Sequence, residues 1–175
     1  MRNLESPPHP PTERGFPEPG PVVAVESAVE ISLPCRDEIT QAVTRGVGRA
    51  LGEFGYGVLT EVSLASGRRA DIMAIDRSGE IVIVEVKSSI EDFRTDQKWP
   101  EYREWCDRLY FAVAEEFPRD ILPEDTGLII ADRFGGVILR PAPVTPLAAA
   151  RRRALLLRFA MLASTRLWQA CDPGI

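Results

Sequence analysis

One stretch of the chain, residues 69–87, constrains the fold more than any other. It reads RADIMAIDRSGEIVIVEVK, with two runs rich in apolar and β-branched residues on either side of an Arg-Ser-Gly sequence. Gly79, the last residue of that sequence, can take the left-handed conformation that closes a three-residue hairpin loop. The stretch therefore predicts a β-hairpin in which Asp76 pairs with Glu80.

The register of this hairpin brings two carboxylates together. Counting five residues outward from the Asp76–Glu80 pair sets Asp71 opposite Glu85, with β-carbons roughly 5 Å apart. Because side chains alternate along a strand, Lys87 shares the face of Glu85. Both faces of the hairpin also carry apolar residues, as in the middle of a covered sheet. Two like charges in such a place destabilise it unless a cation neutralises them.

The spacing of Asp71, Glu85, Val86 and Lys87 indicates a metal site. Mg²⁺, or Mn²⁺ in its place, binds oxygen ligands and usually takes one or two protein carboxylates, leaving positions for water and phosphate. We expect Asp71 and Glu85 to supply those carboxylates and the backbone carbonyl of Val86 a third ligand. Lys87 can hold or deprotonate the attacking water, or neutralise charge on the phosphate. The reaction that fits is phosphodiester hydrolysis.

Length and composition predict one domain with a tail. A domain of about this size, 175 residues, buries about 70 % of the surface of its unfolded chain. Residues 1–34 are dense in proline, so we expect a largely disordered tail, with the folded domain at 35–170. Three widely spaced cysteines predict a reducing cytoplasm and no zinc site. No signal peptide and no membrane span are expected.

The charge of the chain is unevenly distributed. The net charge is −5, yet residues 133–171 contain seven arginines and no acid. Arg151, Arg158 and Arg166 recur at helical spacing and could follow a DNA backbone, with Arg152 and Arg153 beside them. The alternative is that these arginines only solvate a helix.

Hydrophobic periodicity predicts an α/β fold with the order αβββαβ and a C-terminal helix, in which helices flank a mixed sheet. The first helix is expected to begin with Asp37 as its N-cap. Gly46 and Gly48 inside it cost about 1 kcal/mol each relative to alanine, so we expect them to permit close packing on the sheet. The predicted helices lie at 37–54, 90–106 with a restart near Pro100, 118–122 and 147–168, and the strands at 58–64, 72–75, 81–86, 109–114, 127–131 and 136–139.

These residues and this order of elements resemble the PD-(D/E)XK nuclease superfamily. Several spaced stretches narrow the resemblance to the MmcB family of bacterial DNA repair proteins, over roughly residues 37–168. The matching stretches are LTE at 59–61, LASGRRAD at 64–71, KWPEY at 98–102, CDRL at 106–109 and ILPED at 121–125.

The resemblance implies roles for individual residues. Asp71 and Glu85 match the superfamily's metal-binding acids and Lys87 matches its lysine, while an alanine replaces the proline of the superfamily's name. Many members supply a further acid from the first helix, where this chain has no clear candidate. Glu38 is a weak candidate for that acid and Glu61, on the neighbouring strand, is a better one.

The same resemblance implies DNA contacts after the lysine. Lys98 and Tyr102 have the spacing of a phosphate contact and a neighbouring aromatic residue. Arg68 and Arg69 either contact phosphate next to the metal or solvate the start of a strand. Tyr102 and the tryptophans at 99 and 105 either stack on unpaired bases or pack in the core.

Two functions therefore remain open on sequence grounds. The first is a Mg²⁺-dependent deoxyribonuclease acting in DNA repair, with DNA and other repair proteins as partners and no membrane. The alternative is a catalytically weak or inactive module of the same fold that binds DNA or a repair partner. A nuclease that acts on RNA is a third possibility, because no residue pattern in the sequence indicates how the protein would recognise the 2′-hydroxyl of RNA.

Overall fold

A computed structural model of the chain describes residues 36–174, so the tail predicted at 1–34 lies outside the described residues. The described part is an α/β fold built on one six-stranded sheet, whose strands lie side by side in sequence order. The helices are α1 (Arg36–Glu53), α2 (Ile90–Thr95) and α3 (Ala149–Cys171), with 3₁₀ helices at Trp99–Trp105 and Arg119–Ile121; the strands are β1 (Gly57–Ser63), β2 (Arg69–Ile75), β3 (Ile81–Val86), β4 (Arg108–Val113), β5 (Gly127–Ala131) and β6 (Gly136–Arg140).

The sheet is mixed because its connections differ. Short turns join β1, β2 and β3, which pair antiparallel. The longer connection through α2 and the first 3₁₀ helix returns the chain so that β4 pairs parallel with β3, and β5 pairs parallel with β4. β6 pairs antiparallel with β5. The prediction of an α/β fold with a mixed sheet and a C-terminal helix is confirmed.

The β2–β3 hairpin has the predicted register. Gly79 has φ +82°, and the Asp76 N–H donates to the Glu80 carbonyl at 3.2 Å. The ladder continues to Ile72 opposite Val84. One further step along both strands sets Asp71 opposite Glu85.

The two faces of the sheet pack against different helices. On the first face, Val84 and Val86 of β3 join a core cluster with Val43 and Val47 of α1. On the second face, the intervening residues of β3 pack with the first 3₁₀ helix and α3. The second-face cluster includes Met73, Ile81, Ile83, Tyr102, Cys106 and Leu155.

Two local predictions were wrong. Helix α1 begins at Arg36, so Asp37 lies in its first turn and does not cap it. Alternation along the predicted strand 58–64 sets Val58 and Val62 on the same face, but they pack on opposite faces. The reason is that Glu61 between them has φ +54° and rotates the strand. The restart predicted near Pro100 is present, since α2 ends at Thr95 and a 3₁₀ helix with Pro100 in its first turn follows.

Of Gly46 and Gly48, the two glycines expected to pack closely on the sheet, only Gly46 is required by packing. A β-carbon at Gly46 would lie 1.9 Å from the Asp132 carbonyl oxygen and 2.4 Å from that of Gly135, whereas Gly48 has open space. We expect Gly46→Ala to destabilise the protein by about 1–3 kcal/mol through overpacking. Gly48→Ala should stabilise it by about 0.5–1 kcal/mol because it favours the helix.

Urea unfolding of both variants measures this difference, with Gly48→Ala as the matched control two residues away. Equal effects of the same sign in the two variants would contradict the assigned packing of α1 against the β5–β6 turn.

Candidate functional site

Asp71 and Glu85 face each other where β2 and β3 leave the antiparallel ladder. An Asp71 carboxylate oxygen, Oδ2, accepts a hydrogen bond from the Val86 N–H at 2.8 Å. Glu85 Oε1 accepts a longer one, 3.4 Å, from the Asp71 N–H. Glu85 is only 3 % exposed. The two acids are thus held together by the hairpin backbone, and the Val86 peptide lies beside Asp71.

Burial makes this pair of carboxylates hard to ionise. It raises the pKa of Glu85 to about 9, with a further contribution from the Asp71 charge. Burial also raises the pKa of Asp71, although the Val86 N–H and Lys87 act in the opposite direction. Without a cation, Glu85 therefore carries a proton at neutral pH.

Lys87 is buried beside the acids and bound to a residue that the sequence did not single out. Its Nζ lies 2.6 Å from Asp96 Oδ2, and the Lys87 side chain is 5 % exposed. Burial alone would lower the pKa of Lys87, but the Asp96 hydrogen bond and charge raise it. The ammonium group therefore stays charged.

Asp96 is positioned by α2. Ser89 caps the start of this helix, its hydroxyl accepting the Asp92 N–H at 3.1 Å. Asp96 ends it, with its N–H donating to the Asp92 carbonyl, and its other carboxylate oxygen accepts the Lys98 N–H at 3.1 Å. One short helix thus connects the buried lysine to the segment that follows.

The donor set fits a hard divalent cation in part. The raised pKa values of Glu85 and Asp71 would fall if such an ion bound between them, and Mg²⁺ needs no more than one or two protein carboxylates. Within residues 36–174, however, no three His, Cys, Asp or Glu side chains form a metal-binding group. The remaining ligands would have to be the Val86 carbonyl, water and phosphate oxygens.

Neither candidate for a third acid joins Asp71 and Glu85. Glu61 lies near enough for its charge to raise the pKa of Asp71, but its Oε2 is 2.5 Å from the Arg69 Nε. Glu38 is exposed in the first turn of α1. The buried residues of α1 include no acid, and they pack on the sheet face opposite to the second-face cluster.

The residues predicted to contact DNA near the metal divide into bound and exposed ones. Arg68 forms a two-point ion pair with Glu101, at 2.8 and 2.9 Å. Tyr102 is buried, and its hydroxyl donates to the Arg69 carbonyl at 2.9 Å. Lys98 is exposed. Within residues 36–174, Lys98 is the one member of this group whose side chain projects into solvent without a hydrogen bond or ion pair.

The arginines of α3 divide in the same way. Arg151 stacks 4.9 Å from the Trp105 ring and donates to the Glu104 carbonyl at 2.6 Å. Arg152 pairs with buried Asp107. Arg166 donates to the carbonyls of Thr60 and Glu61 on β1. Arg153 and Arg158 are exposed. The predicted arginine track is therefore largely engaged within the fold.

The aromatic residues predicted either to stack on bases or to pack in the core are in the core. Tyr102 is 6 % exposed, and Trp99 makes an edge contact with Phe111 at 5.3 Å. Trp105 packs against the second-face cluster.

One compositional signal marks the lysine. The chain has only two lysines, Lys87 and Lys98, among 21 basic residues. A chain that otherwise uses arginine thus has one of its two titratable amines at a buried position. No comparable signal identified Asp96.

A family model described as "DNA repair protein MmcB-like" matches residues 31–174. The chain belongs to this MmcB-like family. The matched range includes Asp71, Glu85 and Lys87 and every helix and strand described above.

A solved structure supports the MmcB-like fold. The SPO1766 protein of unknown function from Silicibacter pomeroyi is 44 % identical, with a TM-score of 0.76, over 77 % of this chain and 92 % of that chain. A search of curated proteins found no match. In the described part of this MmcB-like chain, no helix is long and apolar enough to cross a membrane.

Proposed function

We propose that this MmcB-like protein is a metal-dependent DNA nuclease of the PD-(D/E)XK kind that hydrolyses phosphodiester bonds during DNA repair. The observation that carries the proposal is the pair formed by partly buried Asp71 and buried Glu85, with Lys87 beside it. The order α1, three antiparallel strands, α2 and a parallel β4 agrees with that superfamily's core. The family's description supplies the repair context and DNA as the partner.

Each residue has a distinct part in the proposed reaction. Asp71 and Glu85 would hold Mg²⁺ or Mn²⁺, with the Val86 carbonyl as a further ligand. When bound, such an ion would polarise a phosphoryl oxygen and lower the pKa of a bound water. Lys87, kept charged by Asp96, would stabilise the negative charge that develops on the phosphate. Lys98, at the exposed start of the 3₁₀ helix, binds a neighbouring phosphate.

A second function is favoured by one observation, the lack of a third carboxylate beside Asp71 and Glu85 within the described residues. In that case the protein binds DNA or a repair partner without cutting it. Binding would then persist in EDTA, since it needs no ion.

Cleavage of labelled single-stranded, duplex and branched DNA, and of RNA of the same sequence, with Mg²⁺, Mn²⁺ or EDTA tests the proposal. We expect metal-dependent cleavage of DNA. Lys87→Met should lower kcat by about 10²–10³-fold, whereas Lys98→Met should mainly raise KM. DNA binding without cleavage under every metal condition would favour the second function.

A further inference from the structure

Helix α3 has two apolar faces, and residues 36–174 cover only one of them. Leu155 is buried, and Phe159 and Leu162 pack with it against the second-face cluster of the sheet. On the other side, Leu157, Met161 and Trp168 are between 58 and 67 % exposed. The fold alone does not account for this second face.

The exposed residues form a continuous stripe. Leu157, Met161 and Trp168 are four and seven residues apart, so they lie on one side of the helix. When Ala154, Ser164 and Cys171 are added, successive residues of the stripe are alternately three and four positions apart. This is the spacing of residues at a helix–helix interface. From Ala154 to Cys171 of α3, the stripe extends along roughly 26 Å.

The charges beside the stripe are all positive. Of the five arginines in α3, those at 151, 152 and 166 are bound to Glu104, Asp107 and the β1 carbonyls. Arg153 and Arg158 remain exposed at the margins of the stripe. No aspartate or glutamate occurs between residues 133 and 171, so nothing in this segment balances them.

We propose that the outer face of α3, defined by Leu157, Met161 and Trp168 with Arg153 and Arg158, docks an amphipathic helix of a partner protein that carries acidic residues beside its apolar stripe. The apolar spacing fits a helix, and the two exposed arginines fit acids at the flanking positions.

Charge separates this occupant from the alternatives. A second copy of α3 would bring arginines against arginines, and like charges across an interface oppose association. A protein surface that binds the DNA backbone usually carries several unpaired cationic side chains. This face of α3 carries an apolar stripe with two exposed arginines. An amphipathic helix with acidic residues would cover the apolar stripe and form ion pairs with the two arginines beside it.

Two synthetic helical peptides test the proposal with the full-length protein. Both have leucine at the stripe positions, one with glutamate and the other with lysine on either side, and calorimetry measures their affinities. We expect the glutamate peptide to bind at least ten-fold more tightly than the lysine peptide. The double variant Arg153→Glu/Arg158→Glu should reverse that preference.

Met161→Ser should weaken glutamate-peptide binding at least ten-fold, while Gln169→Ser, at an exposed position beside the stripe, should leave it unchanged. Amide resonances that shift along α3 would support the assigned face. Absence of binding by both peptides would overturn the proposal, as would equal affinity for the two. So would an α3-dependent dimer in light scattering, or α3-dependent binding to phosphatidylglycerol vesicles without peptide binding.

Discussion

Glu85→Gln is expected to abolish metal-dependent cleavage while making the metal-free protein more stable. The substitution keeps the shape of the side chain but removes the negative charge that would hold the cation. Loss of one electrostatic contact to a transition state typically costs about 10²–10³-fold in kcat. We expect a loss of at least this size in the cleavage assay with Mg²⁺.

The gain in stability follows from burial. In the folded metal-free protein the pKa of Glu85 is about 9, which is higher than its pKa in the unfolded chain. At pH values between these two pKa values, the folded state therefore binds more protons than the unfolded state. Stability is therefore lost as pH rises through that window. The glutamine amide has no proton to lose, so the advantage of Glu85→Gln in melting temperature should grow from about pH 4.5 to pH 9.

Thermal melts in EDTA across this pH range measure the stability effect. Glu53→Gln is the matched control, because Glu53 is exposed at the end of α1 and should change neither melting temperature nor cleavage. Full cleavage by Glu85→Gln would remove Glu85 from the proposed metal site. A melting advantage that does not change with pH would contradict its buried, protonated state.

Asp107→Ala is expected to cause the largest loss of stability. Asp107 is 3 % exposed and its carboxylate accepts four hydrogen bonds, from the Ile81 and Leu147 N–H groups and from two nitrogens of Arg152. It thereby joins the start of β3, the start of β4 and helix α3. Its removal leaves two backbone N–H groups and the partly exposed Arg152 guanidinium without their acceptor, and each buried donor left unpaired costs about 1–3 kcal/mol.

The effect of Asp107 should also depend on pH. Burial alone would raise the pKa of Asp107, but Arg152 and the backbone N–H groups lower it overall. Its contribution is therefore fully present above the unfolded pKa and is lost as pH falls through the folded value. Urea unfolding at neutral and acid pH should show wild type and Asp107→Ala converging in acid.

An exposed ion pair provides the control for Asp107. Asp125 is bound to Arg103 at 2.7 Å with both side chains accessible to solvent, and Asp125→Ala should cost less than about 1 kcal/mol. If the two alanine variants lose similar stability, the Asp107–Arg152 pair does not hold β3, β4 and α3 together.

Much of the fold could be predicted from the sequence because turns and hydrophobic periodicity are local signals. The turn at Gly79 and the apolar alternation on both sides set the register that opposes Asp71 and Glu85. Strand and helix positions followed from periodicity, and five short stretches were sufficient to indicate the MmcB family. The error at Val58 and Val62 arose where Glu61 leaves the extended conformation, a backbone change that alternation cannot reveal.

Long-range pairing decided the rest. Sequence spacing placed five arginines in one C-terminal segment, but only the folded chain shows that Arg152 is bound to Asp107, 45 residues earlier, while Arg158 stays exposed. Gly46 and Gly48 are equivalent as helix residues and differ only because the β5–β6 turn approaches one of them.

The hairpin with Asp71, Glu85 and Lys87 was determined by the sequence itself, because neighbouring strands joined by a tight turn have a single register. The tertiary structure alone decided that Asp96 holds Lys87 and that the buried side of α1 contributes no acid. It also decided that residues 36–174 leave an apolar face of α3 uncovered. These features depend on how separate elements pack, which spacing along one chain does not specify.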